Sequence, residues 1–230
     1  MNTFQAIESR RSVRQYQNRP VELDDLLMIA EMGMHGPTSG DLQDTRFIIV
    51  REKEAIEKVA EMCLEQLWMT SAPSLLVVCS QPSVQAEWYG ERGRHVFSAQ
   101  NAAAAMENAL LAATDLGLAT CWVGGFDQEK IDDFFGVGDA RVEGIITVGY
   151  AAETPEKKEM HDHLTTIYFE NYGNDKIDMD LLNKDYSKKI EKKLKETQKK
   201  AATFQEQAKK YLDQAKVKAK EVHKKYVLKK

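Results

Sequence analysis

The sequence predicts an α+β fold, with a central mixed sheet of about four strands flanked by helices. Two apolar runs, Leu75–Cys79 and Gly144–Gly149, have no polar alternation, which is typical of strands buried on both faces. The Ala-rich stretch Ser98–Leu118 is the most helix-prone part of the chain. With 230 residues, 43% of them hydrophobic, the chain can fill one large core.

The first half of the chain alternates helices and strands. The predicted elements are a short helix around Phe4 and Ile7, a second over Leu23–Ala30, a loop over Gly33–Gly40, a strand Phe47–Val50, a helix Glu52–Met69 and the buried strand Leu75–Cys79. The loop is predicted because it holds three glycines and a proline. It precedes a strand, so its residues can hold ligand groups on a rigid edge.

The second half follows the same alternation. Its predicted elements are the helix Ser98–Leu118 with Gly117 as its C-cap, the strand Thr120–Val123, the pair Gly124-Gly125, the helix Gln128–Phe135, the strand Gly144–Gly149 and a strand-like segment Leu164–Tyr172. The alanines of the long helix remove bulk from more than one of its faces. We therefore expect this helix at the centre of the fold or of a subunit interface.

Charge divides the chain into an acidic body and a basic tail. Residues 183–230 hold 17 Lys against 6 Asp and Glu, a net charge of +11, so residues 1–182 carry −15. The tail lacks Gly and Pro, and its apolar positions follow a helical period with a poor coiled-coil seam. We expect a domain over residues 1–174 and a Lys-rich helical extension over 183–230, which packs along the body or a partner subunit. Binding of nucleic acid or anionic lipid is less favoured.

Several classes of protein are disfavoured by composition. No apolar run reaches the ~20 residues of a membrane span, and the first residues lack a secretion signal, so a cytoplasmic protein without a membrane span is expected. Cys63, Cys79 and Cys121 show neither zinc spacing nor a disulfide pattern, and Cys79 is expected in the core. The pair His161 and His163 has no further ligand nearby, so no metal site is predicted.

The segment Arg10–Arg14 holds three arginines and a serine within five residues. Arg10, Arg11 and Arg14 offer planar donor groups that match phosphate oxygens, and Ser12 can donate a further hydrogen bond. Alone, such a cluster is more often a solvated charged surface. Its meaning depends on the motifs that follow.

Four motifs in order resemble those of the nitroreductase family of FMN-dependent enzymes. They are R-R-S-x-R at Arg10, Arg11, Ser12 and Arg14; the loop Pro37, Thr38, Ser39, Gly40, Asp41, Leu42 and Gln43; L-G-L with W-x-G-G at Leu116, Gly117, Leu118, Trp122, Gly124 and Gly125; and G-Y-x-x-E-x-P at Gly149, Tyr150, Glu153 and Pro155. The resemblance covers about residues 1–173. After Gln43, however, the family's Pro-Trp is replaced by Asp44-Thr45.

The resemblance implies a role for each motif. The family's R-x-S-x-R segment lies on a helix and holds the FMN phosphate, which assigns that role to Arg10, Ser12 and Arg14, while Arg11 either assists or faces solvent. Lys157 or Lys158, or His161, completes the phosphate site. The residues beside the flavin ring would be Pro37, Thr38, Ser39, Asp41 and Gln43 of the loop, with Trp122 and the backbone of Gly124 and Gly125.

The resemblance also implies an activity and an assembly. It implies an FMN-dependent oxidoreductase that passes hydride from NADH or NADPH through flavin N5 to a nitroaromatic, quinone or related small-molecule acceptor by a ping-pong mechanism, with no catalytic side chain. The family forms an intertwined homodimer with FMN at the interface, in which the segment Leu164–Tyr172 would add a strand to the partner's sheet. The alternative is a flavin- or anion-binding regulatory module whose basic C-terminal helix docks a partner.

Overall fold

The computed structural model describes residues 1–161, 166–174 and 195, and the chain divides into two compact units, 1–158 and 159–230. The first unit holds the sheet and its helices. In chain order these are α1 (Thr3–Ser9), α2 (Leu23–Met34), β1 (Thr45–Val50), α3 (Lys53–Met62), β2 (Ser74–Ser80), α4 (Pro82–Arg92), α5 (Ser98–Asp115), β3 (Ala119–Val123), α6 (Gln128–Phe135) and β4 (Arg141–Gly149).

The sheet has the strand order β1-β2-β4-β3, and its neighbouring strands are antiparallel. A single parallel bridge joins Ser12 to Thr120 of β3, so the sheet is mixed, as predicted. Every residue of β2 is buried, because α3 and α6 cover one face of the sheet while α2 and α5 cover the other. Cys79 is only 2% exposed, which confirms its predicted place in the core.

Helix α5 lies at the centre of this fold. Its buried face packs on the sheet and on α2, and Gly117 follows it with a left-handed φ of +77°. A Cβ on Gly36 would lie 3.0 Å from the backbone nitrogen of Ala105, so the chain after α2 can approach α5 only without a side chain there. Small residues on both sides thus set this close packing.

One predicted helix is much shorter in the structure. The helix predicted over Glu52–Met69 ends at Met62, and Leu64 and Glu65 turn the chain with φ values of 57° each. A short 3-10 helix, Leu67–Ser71, then buries Met69 completely. The prediction failed because burial of Met69 outweighs the helix propensity of the intervening residues.

The segment between β2 and α5 was assigned no element from the sequence, yet it forms a helix. Pro82 opens α4 at its first turn, where a missing N–H costs nothing. Gly90 breaks the helical geometry with φ of 59° and ψ of −147°, and a π-helical turn, Gly93–Phe97, leads into α5. The exposed Trp88 and the partly exposed Tyr89 lie on this segment.

The predicted strand Leu164–Tyr172 is wrong where the structure describes it. Residues 166–174 form turns, because Glu170 and Gly173 adopt left-handed φ values and Asn174 O accepts a hydrogen bond from Phe169 N at 3.1 Å. The predicted basic helix 183–230 lies outside the described residues apart from Lys195. Within the described part of the chain, no helix has the length and apolar character needed to cross a membrane.

Candidate functional site

The arginine segment lies along the free edge of β3. Helix α1 ends at Ser9, and the chain continues extended: Ser12 bridges to Thr120, and Val13 N donates to Thr120 O at 2.9 Å. The expectation that a helix carries the cluster is therefore wrong. Backbone pairing to the strand edge is what fixes the position of the cluster.

Extended backbone explains the spacing R-x-S-x-R. Successive side chains of an extended segment point to opposite sides, so Arg10, Ser12 and Arg14 share one side while Arg11 and Val13 share the other. Val13 is 4% exposed and anchors the segment in the core. The three polar groups at alternate positions thus form one set.

All three residues of this set affect the pKa of the buried Cys121 thiol. Burial raises the pKa of Cys121, while the charge of Arg14, a hydrogen bond with Ser12 and the charge of Arg10 act in the opposite direction. The charges of both arginines and the Ser12 hydroxyl therefore act on one thiol of β3. They create a positive field at this edge of the sheet.

The two arginines are only loosely neutralised. Arg10 Nε lies 3.7 Å from the Glu107 carboxylate, and the Arg14 guanidinium lies 5.7 Å from the ring centre of Trp68. The carboxylate of Glu153 accepts a hydrogen bond from the backbone N–H of Arg14 at 2.6 Å, rather than from its guanidinium group. The guanidinium groups retain donors for an anionic ligand.

The other predicted phosphate residues are Arg11, Lys157 and Lys158, which lie outside the alternating set. Arg11 Nη1 donates to the carbonyls of Glu8 and Arg10, at 2.7 Å each. Lys157 Nζ is 3.6 Å from the Glu8 carboxylate and lines, with Arg10 and Arg11, a cleft of about 560 Å³. Lys158 is exposed. The structure brings Lys157, but not Lys158, next to an arginine of the segment.

The pair Gly124-Gly125 follows β3 on the same edge. A Cβ on Gly124 or Gly125 would approach no described atom closer than 3.7 Å or 3.5 Å, so the packing of this chain does not require glycine there. Gln66 Nε2 donates to Gly125 O at 3.0 Å and braces the turn, and Trp122 beside it is 38% exposed. The bracing by Gln66 was not predicted, because residues 63–66 carry no glycine or proline to signal a turn.

The loop Pro37–Gln43 precedes β1. Gly40, Asp41 and Gln43 all adopt left-handed φ values, of 65°, 55° and 50°. Gln43 Nε2 donates to Asp41 Oδ1 at 3.2 Å, and Gln43 N donates to Thr38 Oγ1 at 3.2 Å. The side chains of Asp41 and Gln43 are thus neighbours, and both residues are exposed.

Buried polar side chains anchor this loop. Ser39 N donates to Asn101 Oδ1 at 3.0 Å, Gln85 Nε2 donates to Ser39 O at 3.4 Å, and Asn101 Nδ2 donates to Asp44 Oδ1 at 2.8 Å. Sequence reasoning missed Asn101 and Gln85. The one signal was the replacement of the family's proline by Asp44.

The structure separates the predicted site residues into two groups. The arginine segment, Trp122 and the glycine pair lie at the β3 edge of the sheet, whereas the loop Pro37–Gln43 leads into β1 at the opposite edge. Three strand spacings, about 14 Å, separate these two edge strands. A single copy of the chain therefore does not bring the two groups together at one edge of its sheet.

Comparisons with known proteins agree on one family. The model of the nitroreductase family matches residues 7–70 and 65–150. A protein of Methanothermobacter thermautotrophicus, named for a proposed NADH dehydrogenase or NAD(P)H nitroreductase activity, is 32% identical over 167 residues, which cover 70% of this chain and 84% of the relative. The NADPH-flavin oxidoreductase of Vibrio harveyi is 25% identical over 168 residues, 68% of this chain and 69% of that protein.

Solved structures share the fold. B. megaterium NfrA2 superposes with a TM-score of 0.69 at 24% identity, covering 85% of this chain and 84% of its own. The NADPH:FMN oxidoreductase of Vibrio harveyi in complex with NAD+ gives a TM-score of 0.69 at 21% identity, covering 83% and 86%.

Proposed function

Because the chain belongs to the nitroreductase family, we propose that it is an FMN-dependent oxidoreductase. It uses NADH or NADPH to reduce a nitroaromatic, a quinone or a related small-molecule acceptor. FMN, when bound, would supply the redox chemistry, a ping-pong transfer of hydride from the nicotinamide to the acceptor. The residues of this chain bind the ligands and orient them.

The β3 edge fits the phosphate end of FMN. Arg10, Ser12 and Arg14 occupy alternate positions of an extended segment, so their donors can serve one anion on the same side. A dianionic phosphate would offset the repulsion between the two guanidinium groups. Lys157 is our candidate for the distal cation, because it lines a cleft together with Arg10.

The main support for the proposal is the turn at Gly124 and Gly125, which leaves room for the ring of FMN. Gly124 and Gly125 have space where a Cβ would stand, although neither has a left-handed φ that would demand glycine. An approaching planar group explains the choice, since a backbone N–H can contact a ring only where no side chain intervenes. Gln66 holds the turn in place by its bond to Gly125 O.

The two groups of site residues favour an intertwined homodimer with FMN at its interface. Asp41 and Gln43 are exposed on a held loop, at the edge of the sheet opposite the arginines. In a two-fold dimer the loop of one copy can complete the arginine edge of the other, which forms two equal sites. Asp41 can accept a hydrogen bond from the ring, while Gln43 can both donate and accept.

The proposal is tested on purified protein. It should bind one FMN per subunit, seen as a flavin absorbance spectrum, and should oxidise NADH or NADPH only when an acceptor such as a quinone or nitroaromatic is added. Protein that takes up no FMN would contradict the proposal. FMN binding without any turnover over a panel of acceptors would favour the regulatory module.

A further inference from the structure

The backbone N–H and the backbone carbonyl of Ser39 each form a hydrogen bond with a buried side-chain amide. Its N–H donates to Asn101 Oδ1 at 3.0 Å, and its carbonyl accepts from Gln85 Nε2 at 3.4 Å. Asn101 is 3% exposed and Gln85 is fully buried. Ser39 opens the 3-10 turn that contains Asp41. The two amides therefore clamp the base of the loop.

Asp44 decides which way the Asn101 amide points. An amide has a donor end and an acceptor end, whereas a carboxylate only accepts. Asn101 Nδ2 donates to Asp44 Oδ1 at 2.8 Å, and this bond leaves the amide oxygen facing the N–H of Ser39. If the amide were reversed, two donors would face each other at Ser39, and the amide oxygen would face the carboxylate.

Stability does not account for a carboxylate at this position. Asp44 is completely buried, and no donor in the described part of the chain reaches its Oδ2. A buried carboxylate with one unsatisfied oxygen destabilises a fold relative to a satisfied or apolar residue. A role in shaping the loop offers a reason for its presence.

The loop that the clamp supports is strained. Asp41 and Gln43 adopt left-handed φ values of 55° and 50°, which residues with a Cβ adopt only when their surroundings hold them there. The hydroxyl of Tyr89 closes the loop from another side, where a Cβ on Gly40 would come within 2.5 Å of it. The exposed side chains of Asp41 and Gln43 are presented from this held backbone.

We propose that Asp44 is a positioning residue for the cofactor site. Through Asn101 it fixes Ser39, and Ser39 sets the backbone that presents Asp41 and Gln43 to the flavin ring. Asp44 itself is buried and does not touch the cofactor. The inference rests on the proposed function, because it assigns the loop to FMN.

A charge swap between Asp44 and Asn101 tests whether Asp44 positions the loop through Asn101 and Ser39. Asn101→Asp places two carboxylates against each other and removes the donor to Asp44. In the double variant Asp44→Asn/Asn101→Asp, the new amide can donate to the new carboxylate, which still accepts from Ser39. Asp44→Asn alone retains an acceptor for Asn101. Gln100→Glu is the matched control, an amide-to-carboxylate change at the neighbouring exposed position.

The readouts are the FMN dissociation constant, the flavin midpoint potential and hydrogen exchange of the Ser39 amide. Asn101→Asp should weaken FMN binding by about tenfold or more, shift the potential and expose the Ser39 amide to exchange. The double variant should return all three to within about threefold of the wild type. Gln100→Glu should resemble the wild type, whereas Asp44→Asn should lose part of the FMN affinity, because an amide at position 44 no longer excludes the reversed orientation of Asn101.

Two results would overturn the relay: an Asn101→Asp protein with wild-type affinity and potential, or a double variant no better than Asn101→Asp. If Asn101→Asp does not fold by circular dichroism, Asp44→Leu replaces it, with the same losses expected. If the wild type binds no FMN, the proposed function fails, while exchange of the Ser39 amide across the variants still decides whether Asp44 fixes the loop.

Discussion

The two halves of the candidate site are built by opposite means. At the β3 edge, backbone pairing holds the segment Arg10–Arg14, and its side chains supply charge. At the β1 edge, buried side chains hold the loop Pro37–Gln43, and the loop supplies shape. The first half needs little local strain, whereas the second contains left-handed Asp41 and Gln43.

This difference predicts which property each half of the site should lose on substitution. Removal of charge at the β3 edge should weaken FMN binding strongly and leave the fold intact, because the backbone of the segment stays paired to Thr120. Changes in the loop should alter geometry first, because its two strained residues depend on buried partners. Neither half is a complete site, so each should depend on a second copy of the chain.

The largest effect is expected from charge removal. Arg10→Ala/Arg14→Ala deletes two charge-assisted donors, and FMN should bind roughly a hundred- to ten-thousand-fold more weakly. The thermal midpoint of the apoprotein should change little, because both guanidinium groups are solvent-accessible. Fluorescence titration of FMN measures the affinity.

A matched control separates the effect of the charges in the segment from the effect of the net charge of the protein. Arg19→Ala/Arg51→Ala removes the same charge from exposed positions outside the segment and should leave FMN affinity within about threefold of the wild type. Equal losses in the two double variants would show that net charge, and not the arrangement of the segment, attracts the cofactor.

Complementation tests whether the halves come from different copies. One subunit carries Arg10→Ala/Arg14→Ala, and the other carries Asp41→Ala/Gln43→Ala. In a mixed dimer one site receives both defects, while the other receives an intact segment and an intact loop. Separately tagged and co-purified mixed dimers should therefore bind one FMN per dimer. Binding by neither or both sites would refute a shared site.

Substitutions of Gly124 and Gly149 should separate an effect on FMN binding from an effect on the stability of the fold. Gly124→Val should fold normally, because space surrounds that position, but should weaken FMN binding by about tenfold. Gly149→Ala should instead destabilise the fold by about 1–3 kcal/mol, because its Cβ would lie 2.7 Å from Pro73 and Tyr16. Denaturant unfolding and FMN titration of both variants separate the two roles.

The sequence predicted elements that carry local signals. Helix α6 has the bounds predicted from the sequence, and in the structure Asp127 caps its start and Gly136 ends it in a left-handed conformation. The four strands were found within three residues of their bounds, because continuous apolar runs mark strands in a buried sheet.

The rest depends on contacts between distant residues. Asp44 meets Asn101 across 57 positions, and no local pattern signals that pair. The turn at Leu64 and Glu65 contains neither glycine nor proline, so its left-handed backbone arises from packing around it. The motif order predicts which residues form the proposed site, but the buried side chains that support them could not be predicted from spacing.

The last prediction compares thiols in the core and at the β3 edge. Burial raises the pKa of Cys79 to about 12, so the unfolded chain loses this proton first. The resulting stability is present below about pH 9 and falls as pH rises, by about 1.4 kcal/mol per pH unit for each such thiol.

Cys79→Ala removes this dependence, so the wild type should lose more stability than the variant between pH 9 and pH 11. For Cys121→Ala the difference from the wild type should grow less steeply, because Arg14, Ser12 and Arg10 oppose the effect of burial on the Cys121 thiol. Urea unfolding at each pH measures both slopes. Equal slopes would contradict opposite local fields at the two thiols, since the charges of Asp132 and Glu143 add to the effect of burial at Cys79, whereas the arginines oppose it at Cys121.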